Sequence, residues 1–136
     1  MLKQIERNFI IESLHDFGWT PEQFESELTN RFMRYWFMCD GDTIQGYVAG
    51  QVLFGELEVL RVYMHPRFRG RRLGNILLKK ALKDVDSAFL EVRSQHQVAI
   101  KLYQSVGFEL VSVRENYYSN PQDDAVNMLW RKEEIE

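Results

Sequence analysis

The stretch ELEVLRVYMHPRFRGRRLGNILLKK, residues 56–80, constrains this chain more than any other part of it. Glu56 to Met64 is apolar after Glu58 except at Arg61, as a central strand would be. Pro66 ends the strand, and Leu73, Ile76, Leu77, Ala81 and Val85 then give one face of a helix. Between strand and helix stand Arg67, Arg69, Arg71 and Arg72, with Gly70 and Gly74 letting backbone come close. A helix N-terminus exposes unpaired N–H groups and a partial positive charge, so acidic residues normally decorate it. An anion would remove the conflict, because N–H and guanidinium groups together hold a phosphate or pyrophosphate. The alternative is a solvated basic turn whose glycines only shape the loop. Neither GxxxxGK[ST] nor GxGxxG occurs, which argues against nucleotide hydrolysis and a Rossmann site.

The basic turn sits on an acidic background. The net charge of −3 does not favour general nucleic-acid binding, so no nucleic-acid partner is expected. At 136 residues the chain has the size of one domain, expected to span 1–136. No apolar run approaches the roughly 20 residues that span a bilayer, and residues 1–15 lack the apolar core of a signal peptide. With a single Cys39 and no internal disulfide, the expected location is the cytoplasm. Cys39 follows Tyr35-Trp36-Phe37-Met38 and reads as a small core residue.

The periodicities give the order α-α-β-β-β-α-β-α-β-β. Leu2, Ile5, Phe9, Ile10 and Leu14 mark a first helix. Thr20-Pro21-Glu22-Gln23 opens a second, with a capping box and proline at the first helical position. Strands follow at 32–39 and 43–54 around the turn Asp40-Gly41-Asp42. A short strand covers 88–93, a helix 96–106 ends at Gly107, and two closing strands cover 108–114 and 125–131. The expected fold class is a mixed α/β (α+β) domain with a mostly antiparallel sheet flanked by helices.

"VYMHPRFRGRRLGNILL" resembles the acetyl-CoA-binding motif of the GNAT superfamily of N-acetyltransferases, a strand ending near Pro followed by [Q/R]-x-x-G-x-[G/A] opening a helix. Arg69, Leu73 and Gly74 match, while Arg72 stands where the family usually has Gly. "FLEVRSQHQVAIKLYQSVGFELVSVRENYY" is similar to the RimI type, the ribosomal-protein-alanine N-acetyltransferases, as are "DFGWTPEQF" and "DDAVNMLW" in their positions. That family begins with a strand before its first helix. Here the chain starts in the helix, so the first strand is expected to be short or absent. His96 stands where the family has an Asn that contacts CoA.

The resemblance implies acetyl-CoA as cosubstrate and a set of sites. Val62, Tyr63 and Met64 would line the acetyl group by their backbone, whose donors would also steady a tetrahedral oxyanion. Gly70, Arg71, Arg72, Leu73, Gly74 and Asn75, with Arg69, would form the pyrophosphate turn, and His96 would contact CoA. Acetyl transfer needs a neutral amine, a base for its proton and an acid for the departing thiolate. Glu91 sits mid-strand between Leu90 and Val92, where burial would raise a carboxyl pKa; the residues alone lean instead to an ion pair with Arg93. Glu91 matches the base of the RimI type. Tyr103 lies beside a helical core stripe of Val98, Leu102 and Val106 and by itself reads as packing; the family's LY position makes it the acid. Tyr117 and Tyr118 either line the substrate cleft or pack in a sheet-edge loop. His15 and His65 have no partners at metal spacing, so no metal site is expected.

With no Cys or Ser evidently placed as an acyl carrier, direct transfer to a protein N-terminal α-amine, such as that of a ribosomal protein, is the leading expectation. A small-molecule amine acetyltransferase, a non-catalytic CoA-binding module and a plain interaction domain stand as alternatives.

Overall fold

The structure, a computed structural model, describes residues 1–133. The expected domain end at residue 136 lies outside the described residues. The chain runs α1 (Gln4–Ser13), a 3-10 turn (Leu14–Phe17), α2 (Pro21–Glu27), β1 (Met33–Asp40), β2 (Thr43–Leu53) and β3 (Glu56–Met64). A second 3-10 turn (Pro66–Phe68) leads to α3 (Leu73–Leu82), β4 (Ser87–Arg93), α4 (Gln97–Ser105), β5 (Glu109–Tyr118) and β6 (Asp123–Arg131). The six strands form one sheet in the order β1-β2-β3-β4-β6-β5. Only β3 and β4 are parallel neighbours, joined by the crossover through α3. No strand precedes α1 among the described residues, and β1 forms one sheet edge.

Each face of the sheet carries its own core. On one, Leu77, Leu78, Ala81 and Leu82 of α3 and Ala99 and Ile100 of α4 pack on Val48, Leu57, Val59, Leu90, Val92 and Met128. On the other, Ile10, Leu14 and Phe24 pack on Met33, Tyr47, Ala49 and Tyr63. A fully buried leucine contributes about 1.5–3 kcal/mol relative to an exposed one, so these two layers fix the sheet between the helix pairs. Strand β3 serves both cores because it changes face midway. Ala49 pairs with Arg61 but Gly50 pairs with Val59, which leaves Leu60 as the extra residue of a bulge. Before the bulge Leu57 and Val59 face α3; after it Arg61 and Tyr63 face α1 and α2.

The α2 cap forms as expected: the Gln23 N–H donates to Thr20 Oγ1 at 3.2 Å and the Thr20 N–H to Gln23 Oε1 at 2.8 Å. Three expectations need correction. Cys39 is exposed, because the register shifts between Met38 and Cys39 where β1 approaches its turn. Strand β5 runs to Tyr118 rather than residue 114, so Tyr117 and Tyr118 belong to a strand end and not to a loop. Val98 is 80% exposed, and the buried residues of α4 are Ala99 and Ile100, followed by Val106 just past its end, with Tyr103 packed against the same core.

Candidate active site

Strands β3 and β4 pair only through Glu56–Ser87, Leu57–Ala88 and Glu58–Phe89, then part. Beyond that point the main-chain groups on this side of β3, down to Val62, Tyr63 and Met64, have no strand partner among the described residues. The Leu60 bulge lies at the point of divergence, where its kink turns β3 away. A gap therefore opens through the sheet beside the end of β3, and the basic turn follows directly.

That turn is built by unusual backbone. Gly70 has φ +79°, and Arg72, the N-cap of α3, has φ 59° and ψ 18°, the left-handed region. Arg72 thus holds a conformation that glycine adopts without strain, which is how the chain keeps the turn despite its departure from the motif. No side chain caps α3, so the N–H groups of Leu73, Gly74 and Asn75 face outward beside exposed Arg71 and Arg72. A Cβ added at Gly70 would meet nothing within 4 Å, so that side of the turn is open. Uncapped donors, the exposed guanidinium of Arg72, that of Arg71 at 5.9 Å from the Phe68 ring centroid, and open space fit a pyrophosphate.

The structure separates Arg69 from that group. Its Nε donates to the Met64 carbonyl at 2.8 Å, its Nη2 meets Asp16 Oδ2 at 3.3 Å, and its guanidinium lies 5.6 Å from the Tyr63 ring centroid. The side chain clamps the turn to the end of β3 instead of pointing at the α3 N-terminus. The Asn75 side chain is likewise engaged, donating to Ser105 Oγ at 2.5 Å and tying α3 to α4. His96 is exposed at the N-cap of α4 with no side-chain cap bond. The turn before it is held by Asp123, which accepts hydrogen bonds from Ser94 Oγ and, at 3.1 Å, from the Gln95 N–H. The Ser94 bond is the main cause that holds the Asp123 carboxyl below the usual range.

Glu91 and Tyr103 stand on opposite faces of the sheet. In β4, Ala88, Leu90 and Val92 enter the α3–α4 core, so Glu91 projects from the other side with Phe89 and Arg93. Its side chain is 34% exposed and pairs with Arg114 Nη1 at 3.2 Å. The deep burial expected of it is therefore missing, and so is the pair with Arg93. Arg93 instead donates to the carbonyls of Pro121 at 2.8 Å and Ser119 at 3.4 Å and stacks 4.3 Å from the Tyr118 ring centroid. Arg114 lies 4.4 Å from the Tyr117 ring centroid. Two arginine–tyrosine stacks thus hold the β5 end beside Glu91, and burial, then the Glu91 charge, push the Tyr118 phenol up. Tyr103 packs on the α3–α4 side against Phe108, with ring centroids 5.7 Å apart. Burial pushes its phenol up to about 12, and none of the hydrogen bonds among the described residues uses its hydroxyl. No cluster of metal-ligating side chains occurs among the described residues.

A parted parallel strand pair thus lies beside an uncapped helix start, with Glu91 and Tyr103 on opposite faces of the sheet. The model of the acetyltransferase (GNAT) family matches residues 3–108, and the chain belongs to that family. It is an N-acetyltransferase that takes its acetyl group from acetyl-CoA. It is 34% identical over 119 residues to the N-alpha-acetyltransferase RimI of Mycobacterium tuberculosis, covering 83% of this chain and 75% of that one. It is 29% identical over 126 residues to the ribosomal protein bS18-alanine N-acetyltransferase of Salmonella typhimurium, covering 88% and 84%. An uncharacterised Mycobacterium leprae protein, ML0378, is 38% identical over 87% of this chain, which spans only 34% of that relative's length. The crystal structure of the ribosomal-protein-S18-alanine N-acetyltransferase of Escherichia coli superposes with a TM-score of 0.85 at 23% identity, covering 99% of this chain and 93% of that one. Spermidine N-acetyltransferase SpeG of Vibrio cholerae shares the fold at a TM-score of 0.80 and 15% identity, covering 96% and 92%.

Sequence reasoning missed Arg114, Asp16 and the partner of Arg61. Arg61 was visible as the lone charge in an apolar strand, but its partner Glu27, bonded at 2.7 and 2.9 Å, lies 34 residues away in another element.

Proposed function

We propose that this enzyme transfers the acetyl group of acetyl-CoA directly to the α-amine of a protein N-terminus, in the cytoplasm. The observation that carries this reading is the gap between β3 and β4, with Glu91 on one face of the sheet and Tyr103 on the other. The Leu73–Asn75 N–H groups with Arg71 and Arg72 hold the pyrophosphate, Gly70 leaves room for it, and Arg69 fixes the turn to Met64. His96 supplies a further contact from the α4 N-terminus. Main-chain groups of Val62, Tyr63 and Met64 align the acetyl group in the gap. Glu91 takes the amine proton on the α1–α2 face, and Tyr103, still protonated at neutral pH, gives a proton to the leaving thiolate on the other face. Tyr117 and Tyr118 border the acceptor side.

An α-amine, with pKa about 8, loses its proton far more readily than lysine at about 10.4, so a one-third-exposed carboxylate suffices as base. The names of the Salmonella and M. tuberculosis relatives point to the same acceptor class, a ribosomal protein N-terminus in the first. Mass spectrometry of an N-terminal peptide library with acetyl-CoA, run beside spermidine and an aminoglycoside, tests the reading. α-Amine acetylation supports it. Turnover of only the small amines, or of none, overturns it.

A further inference from the structure

Arg61 and Glu27 form a buried ion pair, with side chains only 2% and 5% exposed. They pair in two parallel bonds, Nη1–Oε1 at 2.7 Å and Nη2–Oε2 at 2.9 Å. Tyr35 of β1 donates its hydroxyl to the same Glu27 carboxylate at 2.5 Å. Arg61 Nε donates to the Tyr47 hydroxyl at 3.2 Å. That hydroxyl also meets Ser13 Oγ at 2.6 Å, and Ser13 donates to the Ile10 carbonyl in α1. The Trp19 ring lies 5.0 Å from the guanidinium. One side chain of β3 is thereby bound to the last turn of α1, the loop before α2, and α2 itself.

Stability does not account for such a network. Apolar residues of similar volume serve a core as well as a buried ion pair or better, because the pair must recover the cost of losing water. What the pair adds is direction: apolar contacts slide, whereas a two-pronged, fully bonded guanidinium allows one placement. The object placed is the segment 14–19. Two residues further along β3, Tyr63 meets Phe17 at 6.2 Å between ring centroids, and Asp16 reaches Arg69 in the basic turn. That segment therefore overhangs the end of β3, on the Glu91 face of the gap, where an acceptor must enter.

We infer that the buried Glu27–Arg61 pair is a positioning device that holds the segment Leu14–Trp19 over the gap and so sets how the acceptor amine meets the acetyl group. Arg61 and Glu27 touch no reactant; they act through the segment they hold. The inference rests on the acetyl-transfer reading for its kinetic arm only.

The test compares wild-type enzyme with the double variant Glu27→Leu/Arg61→Met, with Ser13→Ala as a lighter cut in the same network. Melting temperature, CoA affinity by calorimetry, steady-state kinetics on an N-terminal peptide and amide hydrogen exchange are read for each. The double variant should bind CoA within about threefold of wild type, yet lose about 100-fold in kcat/KM for the peptide, the effect of a misplacement near 1 Å. Exchange should rise across residues 14–20 and stay unchanged across α3. Ser13→Ala should shift both readouts the same way by less. Arg61→Lys with native Glu27, which keeps the charge but not the two-pronged bond, should recover only part of the rate. Wild-type kcat/KM in the folded double variant, or equal loss of CoA binding and turnover, would overturn the inference. Should wild type turn over no amine, the acetyl-transfer reading fails by itself. Exchange then decides: unchanged protection at 14–20 refutes the positioning role and increased protection loss there upholds it.

Discussion

Replacing Arg72 by glycine asks whether the pyrophosphate turn depends on its backbone or on its side chain. Arg72 sits at φ 59° and ψ 18° as the N-cap of α3. A non-glycine residue in that region costs about 1–2 kcal/mol. Removing a cation from a helix N-terminus relieves about 0.3–1 kcal/mol more. Against this, glycine adds about 0.5–1 kcal/mol of unfolded-chain entropy. The balance is a gain of about 1 kcal/mol, or roughly 3–5 °C in melting temperature for a chain of this size. CoA affinity should stay within about threefold by calorimetry, because the N–H groups of Leu73–Asn75 keep their directions. Arg72→Val is the opposing variant. A β-branched residue resists the left-handed region, so it should lower both melting temperature and CoA affinity. A tenfold weaker CoA complex in Arg72→Gly, or an unaffected Arg72→Val, would refute the backbone account and make the guanidinium, rather than the N–H groups, the main ligand at this position.

Other outcomes follow from the site. Glu91→Gln should lower kcat by about 10²–10⁴ at constant CoA affinity, measured by steady-state kinetics and calorimetry. Tyr103→Phe should slow transfer similarly without loss of stability at neutral pH, since the hydroxyl has no protein partner among the described residues. Because burial raises the folded-state phenol to about 12 against about 10 unfolded, Tyr103 costs stability as pH climbs from 10 towards 12. Tyr103→Phe should therefore lessen the alkaline fall in melting temperature across that window. Gly46→Ala would bring a Cβ within 2.4 Å of the Tyr63 carbonyl, forcing β2 and β3 apart beside the acetyl-lining residues. Both melting temperature and CoA binding should drop.

Local rules made most of the fold legible. The capping box at Thr20–Gln23 and the turn at Asp40–Asp42 each act within a few residues, and each element lies where its pattern put it. The stripe read for α3 holds only in part: Leu77 and Ala81 are buried, but Ile76 is exposed and the helix ends at Leu82, short of Val85. What escaped depends on contacts that no local pattern carries. Cys39 looked like core because it follows an apolar run, but a bulge at the strand end turns it outward. Val98 fitted a helical stripe, yet the layer over α4 ends one residue short of it. Glu91 was read as a candidate for burial from its two apolar neighbours, whereas strand alternation sends it to the opposite face, where Arg114 meets it from β5. In the site, the turn was legible through its misplaced charge, but the division of labour among its arginines was not. Arg69 turns back to Met64, while Arg71 and Arg72 stay exposed beside the start of α3.

That division leaves an uncapped helix start flanked by two exposed cations, an arrangement that weakens the ligand-free protein and that a bound anion reverses. The size of the reversal is set by mass action: CoA at 100 times its dissociation constant should stabilise the fold by about 2.7 kcal/mol. Thermal denaturation should then show a rise of roughly 8–13 °C. Inorganic pyrophosphate should give a smaller rise through the same groups, and added salt should erode it more than it erodes the CoA effect, since exposed charges are screened first. Replacing both Arg71 and Arg72 by glutamine should abolish the pyrophosphate response and leave part of the CoA response, which also draws on the main chain of β3. A pyrophosphate response that survives that double change would mean that the anion binds elsewhere.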